Sequence, residues 1–366
     1  MYNLAFNNSI FFGSVLAASE NAAFYRSKDG KNKSAIYQIK YLCWVLALIL
    51  MSPHKEIKGD ETVWVFSKIA EKRISSYIGN AAVFRLGLYN SSIRNLHTNI
   101  SVISPYSPIL RIKLAVLGVR LFCKDNLGCN LGEYLEYFFI VNYLFNHQIN
   151  HVYLNHACER YNTLITHVCF ELGIEIILIQ DGAAIGLNFP NKLFANKAYV
   201  FDLFEEKILR RYISNKDCKF KHIGFCSTIN WKTFSKSRNI KLIAIASQDW
   251  HTSQTNILVK ELLKVIEGSN TLLIVYPHYR ESQKDFAAFN SCDNVLVEPH
   301  SRYKNIDILI TFYSTIVYDY WSVNPDLEVL CQRIHGYTPA YYYRNNVKVF
   351  NSISDLSLYV QTLLNS

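Results

Sequence analysis

The sequence of 366 residues lacks the short motifs that mark the common nucleotide and metal sites. It has only 14 glycines, and neither GxGxxG nor GxxxxGK followed by Ser or Thr occurs, which leaves a dinucleotide fingerprint or a P-loop unsupported. No Asp-x-Asp pair occurs either, so the usual anchor for a metal–nucleotide complex is absent. We therefore expect no resident metal and no resident cofactor.

Cysteine spacing and hydrophobic runs argue against a secreted or membrane-spanning chain. The nine cysteines show no CxxC spacing and no signal peptide is recognisable, so a reduced cytoplasmic setting is the simpler interpretation. The longest apolar run, Tyr41 to Met51, has 11 residues, whereas a helix that spans a bilayer needs about 20. The run predicts a buried helix, and a segment that dips into a membrane is the alternative.

The composition predicts a folded protein with an uneven positive charge. Apolar residues make up 50% and charged residues 18%, and the net charge is +9. Between Lys192 and Lys241, twelve Lys or Arg stand against four acids, a surplus of eight that accounts for nearly the whole excess. This basic window favours an anionic membrane or an acidic glycan as partner, and a solvated face is the alternative. It has no nucleic-acid reading motif, so we predict no nucleic-acid partner.

Alternating strand and helix patterns predict an α/β fold. The stretch from His151 to Ile179 is predicted as strand, helix and strand, which implies parallel strands with a right-handed crossover. Predicted strands are 62–66, 82–88, 100–104, 151–154, 174–179, 240–246, 271–276, 294–298, 307–311 and 327–331, and predicted helices are 131–145, 158–172, 255–267, 283–289 and 354–364.

The pattern and the length together predict two Rossmann-like domains that face each other across a cleft. The predicted boundaries are 1–215 for the N-terminal domain, in which 1–60 are not assigned, 216–239 for a linker and 240–366 for the C-terminal domain. Ligands of such folds bind outside the carboxyl ends of the strands, so polar residues that follow strands are the candidate site residues.

The first polar strand end is Gln180-Asp181-Gly182, directly after the predicted strand 174–179. Gly182 lets the backbone turn sharply, and Asp181 would face the crevice. A carboxylate in that position suits a general base that takes a proton from an attacking hydroxyl. A turn or N-cap role for Asp181 is the alternative.

The second strand end places His278 just after Pro277, with Arg280 two residues further on. An imidazole beside a guanidinium can bind a phosphate or diphosphate leaving group, and the histidine can protonate it. The alternative is a turn histidine whose ring packs on Tyr276 or Tyr279.

The third strand end is Ser314-Thr315, between a predicted buried strand and a helix. Unpaired backbone N–H groups, the helix dipole and the hydroxyl donors make such a turn an anion site. Plain helix capping is the alternative. Ser247 and Gln248 follow the first strand of the second half and are predicted to contact the same ligand.

Two His-x-Cys steps, His156 to Cys158 and His167 to Cys169, lie eleven residues apart. Zinc sites need closer pairs on loops, so these steps predict a core helix with buried thiols rather than a metal site.

In order and placement, the three strand-end motifs resemble those of bacterial sialyltransferases and polysialyltransferases of the GT-B type, which have two Rossmann-like domains. That family carries a D/E-D/E-G motif, then an HP motif often written PHPRE, then a Ser-Ser or Ser-Thr motif. The counterparts are 180–182, 277–281 and 314–315, and the resemblance covers roughly 145–335. This chain departs from the pattern at Gln180, the first acidic position, and at Tyr279, the second proline.

The resemblance implies a metal-independent inverting glycosyltransferase that transfers sialic acid or a related sugar acid from a CMP-linked donor. Asp181 would be the base on the acceptor hydroxyl, His278 would contact or protonate the donor phosphate, and Ser314 and Thr315 would bind that phosphate. The remaining predicted contacts are Arg280, Ser247 and Gln248 on the donor side and Gln180 and Gly182 on the acceptor side.

The resemblance also implies an acceptor that is a precursor of a cell-surface glycan, such as capsule, O-antigen or lipooligosaccharide. The enzyme would then act at the inner face of the cytoplasmic membrane, held there by the basic window 192–241. The alternatives are a CDP-glycerol or CDP-ribitol phosphotransferase, a non-catalytic subunit that binds a glycan or a partner enzyme, and a sugar-nucleotide epimerase.

Overall fold

The computed structural model of the chain describes residues 8–29, 35–57, 59–65, 71, 74–79, 81–85, 102–124, 129–155, 160–180, 182, 184, 189–225, 227, 229–235, 240–248, 251–278, 281–299 and 301–365. The chain divides into two compact units. The first comprises Met1–Asp181, Asn188–Val200 and Leu209–Ile223, and the second comprises Gly182–Leu187, Phe201–Ile208 and Gly224–Ser366.

A parallel sheet forms the centre of the first unit. Its strands are β1 (Glu61–Val65), β2 (Ala82–Arg85), β3 (His151–Asn155), β4 (Glu175–Ile179), β5 (Lys197–Val200) and β6 (Lys219–His222). Within the described residues they are ordered β2-β1-β3-β4-β5-β6, and all neighbours are parallel. The β4 sequence EIILI is a nearly continuous β-branched run, which suits a central strand covered on both faces.

The helices of the first unit pack around a fully buried one. They are α1 (Asn8–Asp29), α2 (Ala35–Met51), α3 (Pro108–Phe122), α4 (Leu131–Asn146) and α5 (Arg160–Glu171). Helix α4 is buried from Gly132 to Leu144, and α1, α2, α3 and α5 pack against it. A Cβ built on Gly132 would lie 3.1 Å from the Leu42 Cα, so the backbones of α2 and α4 approach closely there. Across the described helices, none combines the length and the hydropathy of a membrane span.

The prediction of a strand at 100–104 is wrong where the structure describes it. Residues 102–105 form turns in which Val102 and Ile103 are buried. The Ser104 carbonyl accepts a hydrogen bond from the Lys55 N–H at 3.1 Å and another from the Arg111 guanidinium at 3.2 Å. The apolar pattern reflects the burial of a turn, because its backbone is satisfied by these partners and not by a sheet.

The predicted linker 216–239 contains regular structure. Its residues Lys219–His222 are the edge strand β6, which pairs with β5 over the whole of both strands. Its residues Trp231–Lys232 form β7, which pairs with β11 (Arg302–Tyr303) in a separate two-stranded sheet. The boundary between the units therefore lies at 223–224 at its last crossing.

The second unit is built on another parallel sheet, with a doubly wound order. Its strands are β8 (Lys241–Ala246), β9 (Thr271–Tyr276), β10 (Val295–Val297), β12 (Ile308–Thr311), β13 (Glu328–Gln332) and β14 (Val347–Phe350). Among the described residues their order is β10-β9-β8-β12-β13-β14. Numbered within this sheet, that is 3-2-1-4-5-6, so the chain reverses direction across the sheet between β8 and β12.

The helices assigned to the second unit are shorter on average. They are α6 (Leu203–Leu209), which ends at the unit boundary, α7 (Thr252–Ile266), α8 (Ile316–Trp321) and α9 (Ile353–Asn365). The helix predicted at 283–289 is a 3-10 helix, begun by a capping box between Ser282 and Asp285. Two further 3-10 turns are Ser75–Tyr77, in the first unit, and Ala340–Tyr343.

Candidate functional site

Four strand ends of the second sheet lie in one row. Tyr276, Ala246, Thr311 and Cys331 are successive register partners across β9, β8, β12 and β13. Because the strands are parallel, the residues that follow them share one edge of the sheet. The reversal between β8 and β12 falls in the middle of this row, which is where doubly wound folds bind their ligands.

Glu281 ties two of these strand ends together. Its Oε1 accepts hydrogen bonds from the hydroxyls of Ser247, at 2.9 Å, and Thr252. Its Oε2 accepts the backbone N–H of His278 at 2.7 Å. One carboxylate therefore links the end of β8, the first turn of α7 and the turn after β9. In the sequence, Glu281 is the last residue of the motif 277–281, and no role is predicted for it.

The contacts of Ser247 and Gln248 are with the protein. Ser247 is 3% exposed, and its hydroxyl also lies 3.0 Å from the Thr255 hydroxyl. Gln248 is buried, and its carbonyl accepts the His251 N–H at 2.8 Å. Ser247 thus holds the edge of the sheet together, and direct contact of either residue with a donor stays a prediction.

His278 lies in a tight turn at the predicted place. The Glu281 N–H donates to the His278 carbonyl at 2.8 Å, so the turn is closed from both sides by Glu281. The histidine is partly exposed, and Pro277 before it is buried. Arg280 and Tyr279 lie outside the described residues. His278 thus lies at the edge where β8 and β9 end.

The Ser314-Thr315 turn has the predicted connection, with a short helix after it. Ser314 donates its N–H to the Thr311 hydroxyl at 3.3 Å, and its own hydroxyl accepts the Ile316 N–H at 3.3 Å. The Ser314 hydroxyl thus engages the first N–H of the helix, while the N-cap residue Thr315 makes no side-chain capping hydrogen bond. Helix α8 has only six residues, so its dipole contributes less to an anion site than the sequence suggests.

Gly182 lies against the Ser-Thr turn. A Cβ built on Gly182 would be 3.3 Å from the Thr315 hydroxyl, tighter than an ordinary contact. Gly182 belongs to the second unit, although the sequence places it with the acceptor-side domain. Gln180 belongs to the first unit, where it is buried at the end of β4 and donates its N–H to the Tyr199 carbonyl at 2.8 Å. Asp181, the predicted base, lies outside the described residues.

Glu205 is a buried acid that the sequence does not single out. Its carboxylate accepts the Ala184 N–H at 2.9 Å and the hydroxyl of Tyr318 in α8. The Ala184 carbonyl in turn accepts the Ala340 N–H at 3.0 Å. Burial, and then the charge of Glu205, raises the pKa of Tyr318 well above its ordinary value, so this tyrosine remains a donor. Glu205 thereby links Ala184 to the helix that follows the Ser-Thr turn.

Aromatic rings form a wall beside the same edge. Tyr313 stacks on Tyr337 with ring centroids 4.6 Å apart. The His251 ring lies 5.6 Å from the Tyr313 ring and 5.9 Å from the Phe312 ring. Phe312 and Tyr313 follow β12, and His251 precedes α7. In the sequence these aromatic residues lie close to Ser314 and Gln248, so they could have been named as candidates. Their contact with each other could not, because it depends on the order of the strands in the sheet.

The basic window 192–241 is divided between the two units. Several of its cations have local partners. Lys197 pairs with Glu175 at 2.8 Å, Arg210 lies 4.3 Å from the Phe220 ring centroid, and the Lys241 ammonium donates to the Leu363 carbonyl at 2.8 Å. Because these cations already have partners within the protein, fewer cations of the window are available to bind one anionic ligand.

The second His-x-Cys step lies on the core helix predicted for it. Cys169 is fully buried, and burial raises the pKa of its thiol. The His167 ring packs edge-on against Phe194 at 4.9 Å. His156 and Cys158 lie outside the described residues. In the part of the chain that the structure describes, no group of three metal-ligating side chains is found.

Comparison with solved structures identifies the fold. A putative UDP-N-acetylglucosamine 2-epimerase from Listeria monocytogenes is similar, with 11% identity, a TM-score of 0.50 and coverage of 84% of this chain and 89% of its own. The chain has a GT-B-type fold. This confirms the predicted α/β class with two Rossmann-like domains.

Other structures are similar at lower scores. The S. aureus MnaA–UDP co-structure has 12% identity, a TM-score of 0.48 and coverage of 84% and 88% of the two chains. The glycotransferase of kitacinnamycin has 7% identity, a TM-score of 0.47 and coverage of 85% and 92%. No protein-family model matches the chain, and no curated protein matches it.

Proposed function

We propose that this GT-B-type protein is an inverting, metal-independent glycosyltransferase that uses a nucleotide-activated sugar. The observation that carries the proposal is the row of strand ends in the second sheet. Ser247, His278 and the Ser314-Thr315 turn follow three neighbouring strands, and Glu281 fixes two of them relative to each other. Hydroxyl, imidazole and backbone donors at a doubly wound switch point suit the phosphate of a nucleotide.

In the proposed reaction the acceptor oxygen attacks the anomeric carbon of the donor sugar. The bond from that carbon to the donor phosphate breaks, and the acceptor proton passes to Asp181. His278 and the Ser-Thr turn stabilise the negative charge that develops on the leaving phosphate. Attack from the face opposite the phosphate inverts the configuration at the anomeric carbon.

The finer proposal is a donor of the CMP-sialic acid type and an acceptor that is a precursor of a cell-surface glycan. It is supported by the order of the motifs at 180–182, 277–281 and 314–315 and by the glycine of the first motif lying next to the threonine of the third. Gln180 and Tyr279 depart from the motif pattern, so the donor must be identified by experiment.

A second candidate is a UDP-sugar 2-epimerase. It is favoured by the fold similarity to the putative UDP-N-acetylglucosamine 2-epimerase, 89% of whose chain is covered by the match. An epimerase converts its sugar nucleotide with no acceptor present, and this separates it from a transferase.

The test is turnover of a donor panel by the purified full-length chain. CMP-sialic acid, CDP-glycerol, CDP-ribitol and UDP-N-acetylglucosamine are each followed by NMR, with and without an oligosaccharide acceptor. We expect acceptor-dependent release of the nucleotide from one sugar donor. His278→Ala and Asp181→Ala should each lower that release at least about a hundredfold, since general acid–base groups contribute about 10²–10⁴.

Control substitutions show whether a loss of turnover is specific to the site residues. His54→Ala and Asp217→Ala change exposed residues of the same types in the first unit and should leave turnover unchanged. Conversion of UDP-N-acetylglucosamine to its epimer without acceptor would show that the protein is an epimerase and not a transferase. Turnover that persists in both site variants, or a chain that binds no nucleotide, would contradict the proposal.

A further inference from the structure

Helix α2 exposes an apolar stripe opposite its buried face. It buries Tyr41, Val45 and Leu48 against the rest of the first unit. On the opposite side Ile39 is 62% exposed and Leu50 is 68% exposed. The exposed apolar positions recur at helical spacing along this side, at Ile36, Ile39, Leu46 and Leu50.

Helix α3 shows the same arrangement. It buries Arg111, Leu114 and Gly118, and a Cβ on Gly118 would lie 2.9 Å from a methyl carbon of Leu135 in α4. The side turned away from α4 carries four exposed apolar residues at helical spacing, namely Ile109 at 71%, Ile112 at 51%, Val116 at 47% and Val119 at 37%.

A buried arginine joins the two helices. The Arg111 guanidinium donates to the Ser52 carbonyl and, at 3.2 Å, to the Pro53 carbonyl, both directly after the end of α2. Helices α2 and α3 also pack against each other and against α4. The end of α2 is thus held against the first turn of α3, and we call the exposed apolar residues of the two helices together the α2–α3 face.

The α2–α3 face is positively charged. Neither helix contains an Asp or a Glu. Lys40, Lys113 and Arg120 are exposed beside the apolar stripes, and Lys124 follows directly after α3. The nearest exposed acid in the described chain after α2 is Glu56. Exposed apolar side chains with a cationic border match an anionic bilayer surface, which offers acyl chains and phosphate headgroups together.

We propose that the α2–α3 face docks the first unit onto an anionic lipid bilayer. The apolar residues enter the boundary between headgroups and acyl chains, while the lysines and the arginine stay at the phosphates. This proposal does not depend on the identity of the donor sugar. It differs from the expectation that the basic window 192–241 provides the membrane contact, because that window lacks an exposed apolar stripe of this kind in its described residues.

The test is flotation of the full-length chain with extruded vesicles of phosphatidylcholine, with or without phosphatidylglycerol. We expect the wild type to float with the anionic vesicles, less with neutral ones and less at high salt. The double variants Leu50→Ser/Ile112→Ser and Lys113→Gln/Arg120→Gln should each lower the bound fraction about tenfold, and circular dichroism should be unchanged because these side chains are exposed.

Three matched arms decide between explanations. Ile257→Ser/Leu358→Ser and Lys260→Gln remove exposed residues of the same types from the second unit and should leave flotation unchanged. Lys216→Gln/Lys219→Gln in the basic window should also float like the wild type. The proposal is overturned if the wild type stays unbound, if the window variant alone loses binding, or if the α2–α3 variants instead dissociate a dimer seen by light scattering.

Discussion

At the scale of single residues, Glu281 organises the candidate site. It accepts hydrogen bonds from two hydroxyls and one backbone N–H that belong to three different elements. It acts as a positioning residue, because its observed partners are protein groups, among them the backbone N–H of His278. An acid five residues after a strand gives no sign in the sequence of which strand end it will contact, so the sequence identifies His278 but not the residue that positions it.

Glu281→Gln is expected to lower kcat/KM for the donor by about tenfold or more. The amide keeps one acceptor oxygen and loses the charge, and a hydrogen bond to a charged group contributes about 1.5–3 kcal/mol. Steady-state kinetics on the donor that turns over will check this, with the thermal midpoint measured in parallel. Glu261→Gln, which removes a surface ion pair with Lys264, is the control. Wild-type kcat/KM in Glu281→Gln would show that the carboxylate does not position the site.

At the scale of elements, Gly132 sets the contact of α2 with α4. An added Cβ would press on the Leu42 backbone at 3.1 Å and 3.2 Å, where a side-chain rotation cannot relieve the contact. Gly132→Ala is therefore expected to lower the free energy of unfolding by about 1–3 kcal/mol, despite the better helix propensity of alanine. Denaturant unfolding is the measurement. Gly13→Ala, in α1 with nothing within 4 Å of the added Cβ, should be neutral or stabilising. Equal effects of the two substitutions would contradict the close contact.

Helix α4 also ends in a residue that makes stability depend on pH. Burial lowers the pKa of His147 below its ordinary value of 6.5, while its ring stacks on Tyr143 at 4.0 Å. Below about pH 6.5 the unfolded chain then binds more protons than the folded one, so the free energy of unfolding falls as the pH decreases through that value. His147→Gln should flatten this dependence between about pH 7 and pH 5. An unchanged slope in His147→Gln would refute the assignment.

The elements that the sequence predicts well are continuous apolar strands and helices that end near a glycine. Strands β4, β9 and β12 are continuous apolar runs between turn residues, and α5 and α7 end near Gly173 and Gly268, which adopt positive φ angles. Helix α3 is not predicted at all. Its apolar residues occupy the exposed as well as the buried side, so the pattern lacks the polar face by which a surface helix is recognised. Helix α2 likewise carries apolar residues on its exposed side as well as its buried side. It is therefore only half buried, although the sequence predicts a buried helix.

At the scale of the whole molecule, the alternation of strands and helices in the sequence predicts parallel sheets. The order of the motifs predicts which sheet holds the candidate site. The unit boundary is not predicted, because the chain crosses between the units several times around β5 and α6. Gly182–Leu187 and Phe201–Ile208 belong to the second unit. In that unit Glu205 accepts the Ala184 N–H, and Asp202 pairs with Arg344. Contacts between residues this far apart in the chain produce no periodic pattern in the sequence, so they could not be predicted from it.

The central claim is that a nucleotide binds at the carboxyl edge of the second sheet. Hydrogen–deuterium exchange of the full chain, with and without saturating CMP or UDP, tests this most directly. We predict that one nucleotide slows exchange in the peptides that contain Ser247, His278 and Ser314, and leaves the peptides of α2 and α3 unchanged. Protection confined to the first unit, or no protection by either nucleotide, would contradict the account.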